Sequence, residues 1–341
     1  MLEFQTGIAN VSQEEQGRNW FLDRRHLCIG YFEQNMSKVH LVKSMKKELK
    51  EFAPLNTFMI DGLVYFTSQF SLDIIQYDIV SKKTCIYKFD NIKRQFQTVL
   101  YEKKIIFLPI LLENNIYVFD TKEKKYAEKE LKKENAQTWD CGIAYKDNNK
   151  VYMPIKEESF ILELDLSDLI CRKIVVPIEI ASDAVYAYEG ELWIASGVQK
   201  KIYHLNGEKY TTIDIYHQNT QYRKESFSRI ERIGKQLFIF PRYEQYLYVV
   251  NMADESSKKI LVSTEVIEDG PSLFFGCIKR ENKIIFLPWR KAEVYEYNLD
   301  DDKLVATKLF VSAQSQLYYE NGSIDENERR GLQWLIDLVT D

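Results

Sequence analysis

Short apolar runs recur along the chain at a regular interval, and each is followed by a polar loop and a second short apolar segment. Two stretches show the same frame, KIIFLPILLENNIYVFD at residues 104–120 and KIIFLPWRKAEVYEYN at residues 283–298. Such runs, rich in Ile, Phe, Tyr and Val and bounded by polar turns, are typical of buried β-strands. The pattern therefore predicts pairs of antiparallel strands along most of the chain.

Seven copies of this frame are present. They occupy residues 19–33, 63–78, 104–120, 150–165, 191–206, 236–251 and 283–298. One anchor position closes the first apolar run of each copy, and it is occupied by Asp23, Thr67, Pro109, Pro154, Ala195, Pro241 and Pro288. Successive anchors are 41 to 47 residues apart. Repeats of about 40–50 residues are typical of units that contain four strands each.

Each copy also carries signals for its other strands. A short segment such as FQTVLYE (96–102) leads through a polar turn into the anchor strand, as in a β-hairpin. A Lys-rich turn and a fourth segment, such as KYAEKEL (125–131), complete the copy. The third strand ends in Glu33 in the first copy and in Asp or Asn in the other six, namely Asp78, Asp120, Asp165, Asn206, Asn251 and Asn298. Because Asp and Asn bond to the backbone that follows them, we interpret these residues as turn formers, not as metal ligands or catalytic groups.

Seven sheets of this kind can bury one another when they stack around an axis. The chain therefore resembles a seven-bladed β-propeller, an all-β fold of four-stranded antiparallel blades, over residues 1–320. The resemblance is to the architecture and not to a named family, because the double glycine of kelch blades and the sialidase Asp-box are missing from the sequence. The one Trp-Asp pair, Trp139–Asp140, precedes a first strand instead of ending a third, unlike WD repeats.

The two ends of the chain are expected to complete the ring. Residues 4–11 would begin the first blade, since Gly7-Ile8-Ala9 matches residues 142–144 of the fourth, and residues 311–320 would complete or clasp the last blade. Residues 321–341 break the period. Ser323 and Glu326 form a capping box, and one helical face carries Leu332, Leu335, Ile336 and Val339. This pattern predicts a C-terminal amphipathic helix packed on the ring, with a partner-binding arm as the alternative.

Composition narrows the class of protein. The chain has 341 residues, of which 45% are hydrophobic, 28% charged and 13% aromatic, as in globular proteins rich in strands. Its formal net charge is −5 and it has no long basic stripe, so we expect no binding to nucleic acid.

The cysteines and the apolar segments bear on the cellular compartment. Five scattered cysteines with no CxxC pair predict reduced thiols, not a disulfide framework. The first residues lack the basic and apolar regions of a signal peptide. A membrane span needs about 18 consecutive apolar residues, and no apolar run in the sequence is nearly that long. We therefore expect a cytoplasmic protein that does not bind membranes.

The resemblance implies where a ligand would bind. In propellers, the loops between the second and third strands and the links between blades share one face, at the mouth of the central channel. There the loops of blades 6, 7 and 1, consecutive once the ring closes, gather basic and aromatic side chains. This candidate ligand sector comprises Arg24, Arg25, His217, Arg223, Arg242, Tyr243, Trp289 and Arg290.

Guanidinium groups form bidentate bonds with carboxylate, phosphate or sulfate, and aromatic faces add apolar contact. We therefore interpret the chain as a binding module for an anionic small molecule or glycan, or for a protein partner. Pairing of the arginines with Asp23, Glu225 or Glu244 is the alternative for these side chains.

An enzyme is the alternative function. A lyase or hydrolase acting on a polar, carbohydrate-like substrate would need an acid and a base at the channel mouth, for which His26, His217, Asp140 and Glu158 are the candidates. The sequence contains no GxSxG motif, P-loop or GxGxxG motif and no metal-binding histidine spacing. We therefore predict no cofactor and no metal.

Overall fold

The computed structural model describes most of the chain. The described residues are 3–4, 7–8, 10–13, 17–33, 37–49, 52–89, 92, 94–133, 137–156, 158–176, 184–207, 209–215, 227–242, 246–262, 274–288, 291–312 and 315. The predicted C-terminal helix lies outside these residues and stays a prediction.

The strands form seven four-stranded antiparallel sheets, here called blades 1–7 in chain order. From first to fourth strand, blade 1 contains β1 (Ser12–Gln13), β2 (Asn19–Leu22), β3 (Cys28–Phe32) and β4 (Lys38–Ser44), and blade 2 contains β5 (Pro54–Ile60), β6 (Leu63–Ser68), β7 (Ile74–Asp78) and β8 (Thr84–Tyr87). Blade 3 contains β9 (Phe96–Tyr101), β10 (Lys104–Pro109), β12 (Asn115–Asp120) and β13 (Lys125–Glu130), with β11 (Leu111–Leu112) in its loop, and blade 4, preceded by β14 (Trp139–Asp140), contains β15 (Tyr145–Asp147), β16 (Lys150–Pro154), β17 (Phe160–Asp165) and β18 (Cys171–Val175). Blade 5 contains β19 (Ala184–Tyr188), β20 (Glu191–Ser196), β21 (Lys201–Asn206) and β22 (Lys209–Asp214), blade 6 contains β23 (Phe227–Ile233), β24 (Gln236–Pro241), β25 (Tyr246–Asn251) and β26 (Ser257–Leu261), and blade 7 contains β27 (Phe274–Arg280), β28 (Lys283–Pro288), β29 (Glu293–Asn298) and β30 (Lys303–Lys308).

The turns within a blade follow the local sequence. Between β9 and β10, Glu102 and Lys103 have φ of 46° and 60°, the left-handed pair that a two-residue hairpin requires. Between β12 and β13, Asp120 Oδ1 accepts bonds from the backbone N–H groups of Lys122 (2.9 Å) and Glu123 (3.0 Å). The prediction that these terminal Asp and Asn residues start turns is confirmed here and at Asp78, Asp165, Asn251 and Asn298.

The hydrophobic core is divided into seven clusters, one between each pair of neighbouring blades. Side chains alternate along a strand, so Ile105 and Phe107 of β10 face blade 2, whereas Ile106 and Leu108 face blade 4. Both faces of the second strands are therefore buried, which explains why their sequences are continuous apolar runs. One cluster joins blade 7 to blade 1, so the ring of seven blades is closed.

Both ends of the chain close the ring on blade 1. Residues after blade 7 form β31 (Phe310–Val311), which pairs in parallel with β4. Beyond it, Ser315 Oγ accepts a bond from Leu41 N (2.8 Å). Near the N-terminus, Phe4 N donates to Leu309 O (2.9 Å). The predicted clasp therefore covers the first blade and not the last, because the outer edge of β4 offers unpaired backbone groups to the incoming strand.

The first strands of the blades contact one another from blade to blade and so line the channel at the axis. The second strand of each blade ends at or near its anchor residue, so the loops between second and third strands lie on one face of the ring. Among the described residues, no helix is long and apolar enough to cross a membrane.

Candidate functional site

The loops between second and third strands share a face with the links between blades. Ile8, in the segment entering blade 1, bridges to Asp23, and Cys141 makes the equivalent bridge to Ile155 in blade 4. In blade 3 the loop strand β11 pairs with β14, in the link to blade 4. The predicted position of these loops on one face is confirmed.

A buried carboxylate organises this face in blade 1. Asp23 is fully buried, and its Oδ1 accepts a bond from Gly7 N (2.7 Å). Its Oδ2 accepts bonds from His26 N (2.6 Å) and His26 Nδ1 (2.7 Å). A Cβ on Gly7 would lie 2.9 Å from both Asp23 Oδ1 and Arg25 N, so only glycine fits this approach. Asp23 therefore pairs with Gly7 and His26.

Arg24 points from blade 1 towards blade 2. Its Nε donates to Pro54 O (2.5 Å), and its Nη2 donates to Gln69 Oε1 (2.5 Å). Burial lowers the pKa of this guanidinium to about 10, so it stays charged at neutral pH. Arg24 thus joins the loops of two neighbouring blades.

The other predicted ligand residues are only partly described. Arg25 is half-buried in the loop after β2, and Arg242 is half-buried directly after β24. The remaining candidates lie outside the described residues: His217, Arg223, Tyr243, Trp289 and Arg290. Convergence of the sector is therefore still a prediction.

The described acid and base candidates have separate environments. His26 is buried against Asp23 and contacts the Phe4 ring, with 5.5 Å between ring centroids. Asp140 pairs with Lys156 Nζ (3.4 Å), and Glu158 is exposed. These three candidates therefore lie in different surroundings, and of them only His26 is shown bonded to a carboxylate, that of Asp23.

Two other histidines pack against aromatic side chains within the strands. His40 in β4 stacks on Tyr31 with 4.8 Å between ring centroids. His204 in β21 stacks on Trp193 at 3.9 Å, and its ring nitrogens lie 3.1 Å from Glu255 and 3.0 Å from Glu191.

The channel wall of blades 6 and 7 holds a charged cluster that sequence analysis missed. Lys279 Nζ lies 2.8 Å from Glu231 Oε2, and Arg229 Nε lies 3.7 Å from Glu231 Oε1. Arg229 Nη1 also lies 4.0 Å from Cys277 Sγ. Residues Arg229 and Glu231 belong to β23, and Cys277 and Lys279 to β27. We call these four residues the channel cluster.

A small pocket lies beside the channel cluster, between the first strands of blades 4, 5 and 6. Its lining includes Arg229, Glu231, Ser228 and Tyr145. The Tyr145 ring packs on Tyr186, with 4.7 Å between centroids. Burial raises the pKa of the Tyr145 hydroxyl, which therefore stays protonated. The pocket has a basic side, an aromatic side and a neutral hydroxyl.

Burial and charge fix the protonation states in the channel cluster. Burial, with the nearby Glu231 charge, raises the pKa of the Cys277 thiol to about 12, so the thiol is neutral. Burial opposes the charged form of Lys279, but the Glu231 carboxylate outweighs it and the pKa of Lys279 is raised. The cluster therefore holds two cations and one carboxylate.

Comparisons with known proteins identify the architecture. No protein-family model and no curated protein matches the sequence. A solved streptogramin B lyase is similar in structure at a TM-score of 0.65 and 12% identity, over 90% of this chain and 96% of that one. Sqt1 of Saccharomyces cerevisiae is similar at a TM-score of 0.60 and 8% identity, over 90% of this chain and 87% of that one. The chain is a seven-bladed β-propeller. At these identities the likeness shows the fold alone.

The channel cluster could have been found in the sequence by comparing the charged residues of the seven first strands. FSRIERI (227–233) and GCIKR (276–280) carry charges within the strand, whereas FQTVLY (96–101) carries none. Charges at the centre of a strand that lines a buried axis are unusual, because burying an ionised group is unfavourable unless it is paired.

Proposed function

We propose that the propeller is a binding module whose face presents the basic and aromatic sector of blades 6, 7 and 1 to an anionic ligand. The observation that carries the proposal is the bonding of Asp23. Both of its oxygens accept hydrogen bonds from Gly7 and His26, which engage the carboxylate that is nearest in sequence to Arg24 and Arg25.

The chemistry of the sector defines the ligand class. Arginines favour carboxylate, phosphate or sulfate groups, and Tyr243 and Trp289 would contact an apolar or sugar-like body. Arg24 is held against blade 2 and would shape the site, while Arg25, Arg242 and Arg290 would contact the anion. The ligand is thus a small acidic molecule or an acidic glycan, with a protein partner as the other possible occupant of the face.

A thermal-shift screen tests this function. Sugar phosphates, nucleotide sugars, sialic and uronic acids and sulfated glycans should include ligands that raise the melting temperature and that weaken with added salt. Binding stabilises the fold by about 2.7 kcal/mol at a hundredfold excess over the dissociation constant. Arg242→Ala and Arg290→Ala should each remove the shift.

The matched control is Arg172→Ala, which removes an arginine that is 62% exposed on the outer strand β18 of blade 4. This variant should keep the full shift. The proposal is wrong if no anion stabilises the protein or if all three variants respond alike. If a protein partner binds and no anion raises the melting temperature, the face is assigned to that partner.

The cysteines bear on where this module works. All five are free thiols, and Cys28, Cys141 and Cys171 are buried. Burial raises the pKa of the Cys28 thiol to about 12. Unpaired thiols suit a reducing compartment, and we propose that the protein works in the cytoplasm.

A further inference from the structure

The guanidinium of Arg229 is poorly satisfied by its neighbours. Its side chain is 25% exposed. Within the described structure its polar side-chain contacts are Glu231 Oε1 at 3.7 Å and Cys277 Sγ at 4.0 Å. Both distances exceed those of a charge-assisted hydrogen bond, which is about 2.7–2.9 Å. An arginine has five N–H donors, so most of these donors have no close partner.

The charge around Arg229 is also unbalanced. Glu231 is the carboxylate in contact with it, and Lys279 Nζ is the closer cation to that carboxylate at 2.8 Å. The neutral Cys277 thiol supplies no counter-charge. One positive charge is left over in a largely buried setting, where a cation without a close counterion is unfavourable.

We propose that Arg229 binds an oxyanion, a carboxylate or phosphate group of a small molecule, in the channel pocket lined by Tyr145, Ser228, Arg229 and Glu231, whose own carboxylate is held by Lys279 Nζ at 2.8 Å. The anion takes the guanidinium donors that the protein leaves without close partners, and it balances the surplus charge of the channel cluster. Tyr145, whose ring packs on Tyr186, supplies the aromatic part of the pocket lining. This site is separate from the face sector and does not depend on the function proposed for it.

The test uses inorganic phosphate and, in a second arm, acetate, each measured by thermal shift against sodium chloride at equal ionic strength. Stabilisation by phosphate alone assigns a phosphoryl group, and stabilisation by acetate assigns a carboxyl group. Arg229→Gln should weaken the response about tenfold or more, as expected for loss of charge-assisted bonds. Arg232→Gln is the matched control, because Arg232 is on the same strand but lies over the Tyr188 ring, 3.4 Å from its centroid.

Arg242→Gln separates this site from the face. If Arg242→Gln removes the response and Arg229→Gln keeps it, the anion binds at the face and the channel proposal is wrong. Absence of any shift beyond that of chloride also overturns it. A response lost with Arg229→Gln and kept with Arg232→Gln supports it.

A second measurement avoids mutation of the channel. An anion on Arg229 should slow modification of Cys277 by N-ethylmaleimide, because the sulfur lies 4.0 Å from the guanidinium. Cys85, which is exposed in β8, is the internal control in the same sample. Site-resolved mass spectrometry should show protection of Cys277 that rises with phosphate or acetate, and no change at Cys85. Equal rates at Cys277 with and without either anion would overturn the proposal.

Discussion

The wall of the central channel has two halves that are held together differently. In blades 1–4, neutral side chains bond one first strand to the next. In blades 6 and 7, the charged half, the first strands β23 and β27 carry Arg229, Glu231 and Lys279, and the contacts of Arg229 are long. Because both halves belong to one ring and repeat the same strand pattern, the difference cannot come from the architecture. On the proposal made for Arg229, the first half stabilises the ring and the second half would bind a ligand.

The neutral half is a chain of short hydrogen bonds. Asn10 Nδ2 donates to Asn56 Oδ1 (2.8 Å), and Asn56 Nδ2 donates to Thr98 O and Thr98 Oγ1 (2.9 Å each). These bonds connect blades 1, 2 and 3. Neutral amides and hydroxyls lose less hydration free energy than ions when buried, so a fully bonded network can stabilise a dry interface.

Gln97 continues the network to blade 4. Its Nε2 donates to Gly142 O (2.6 Å), and its Oε1 accepts a bond from Ala144 N (2.5 Å). The Gln97 side chain therefore bonds to one backbone acceptor and one backbone donor at the blade interface, as a neighbouring β-strand would. The charged half has no equivalent of this bridge among the described residues.

The largest effect should follow from breaking the neutral half at Asn56. Asn56→Ala removes three hydrogen bonds and leaves the groups of Asn10 and Thr98 without this partner, which should lower the free energy of unfolding by about 2–3 kcal/mol. Urea unfolding measures the change. Asn115→Ala is the control, because Asn115 Nδ2 donates to Glu128 at the surface. Equal losses for the two variants would contradict a stabilising role for the network.

A smaller effect is expected from the charged half when no ligand is present. Arg229→Gln should change the free energy of unfolding by no more than about 0.5 kcal/mol, because the arginine has no short bond to lose and a buried cation is removed. Urea unfolding in a buffer free of phosphate and carboxylate measures it. A loss as large as that of Asn56→Ala would show that the two halves of the channel are not different in kind.

Much of this fold could be predicted because its determinants are local and repeated. The left-handed pair Glu102–Lys103 and the turn at Asp120 depend on a few neighbouring residues. The pair occurs again at Asp61–Gly62 and Glu189–Gly190, and the turn occurs again at Asp78 and Asp165. The apolar second strands report burial on both faces. Blade number, strand order and turn positions therefore follow from pattern alone.

The candidate site could be predicted only in part, because its contacts join residues from different blades. The position of Arg24 after an anchor places it in a face loop, but it does not say that the side chain turns towards Pro54 and Gln69 of the next blade. Likewise, Glu231 and Lys279 are 48 residues apart and meet only when two first strands align. A repeat pattern gives the frame but not these lateral contacts.

The smallest predicted effect is a pH dependence of the charged half. The pKa of Lys279 is raised because the favourable charge of Glu231 outweighs burial. A lysine with a raised folded-state pKa contributes stability that is present below the ordinary value of about 10.4 and is lost as the pH rises through the folded-state value. Glu231→Gln removes this contribution, so its destabilisation relative to wild type should be larger at pH 8 than at pH 11. Urea unfolding of both proteins at the two pH values measures the difference.

Because Lys279 is 47% exposed, solvent screens the pair and the change is expected to be small. A destabilisation that is equal at both pH values would mean that Glu231 stabilises the channel through Arg229 and not through Lys279, and the surplus charge would then belong to the lysine.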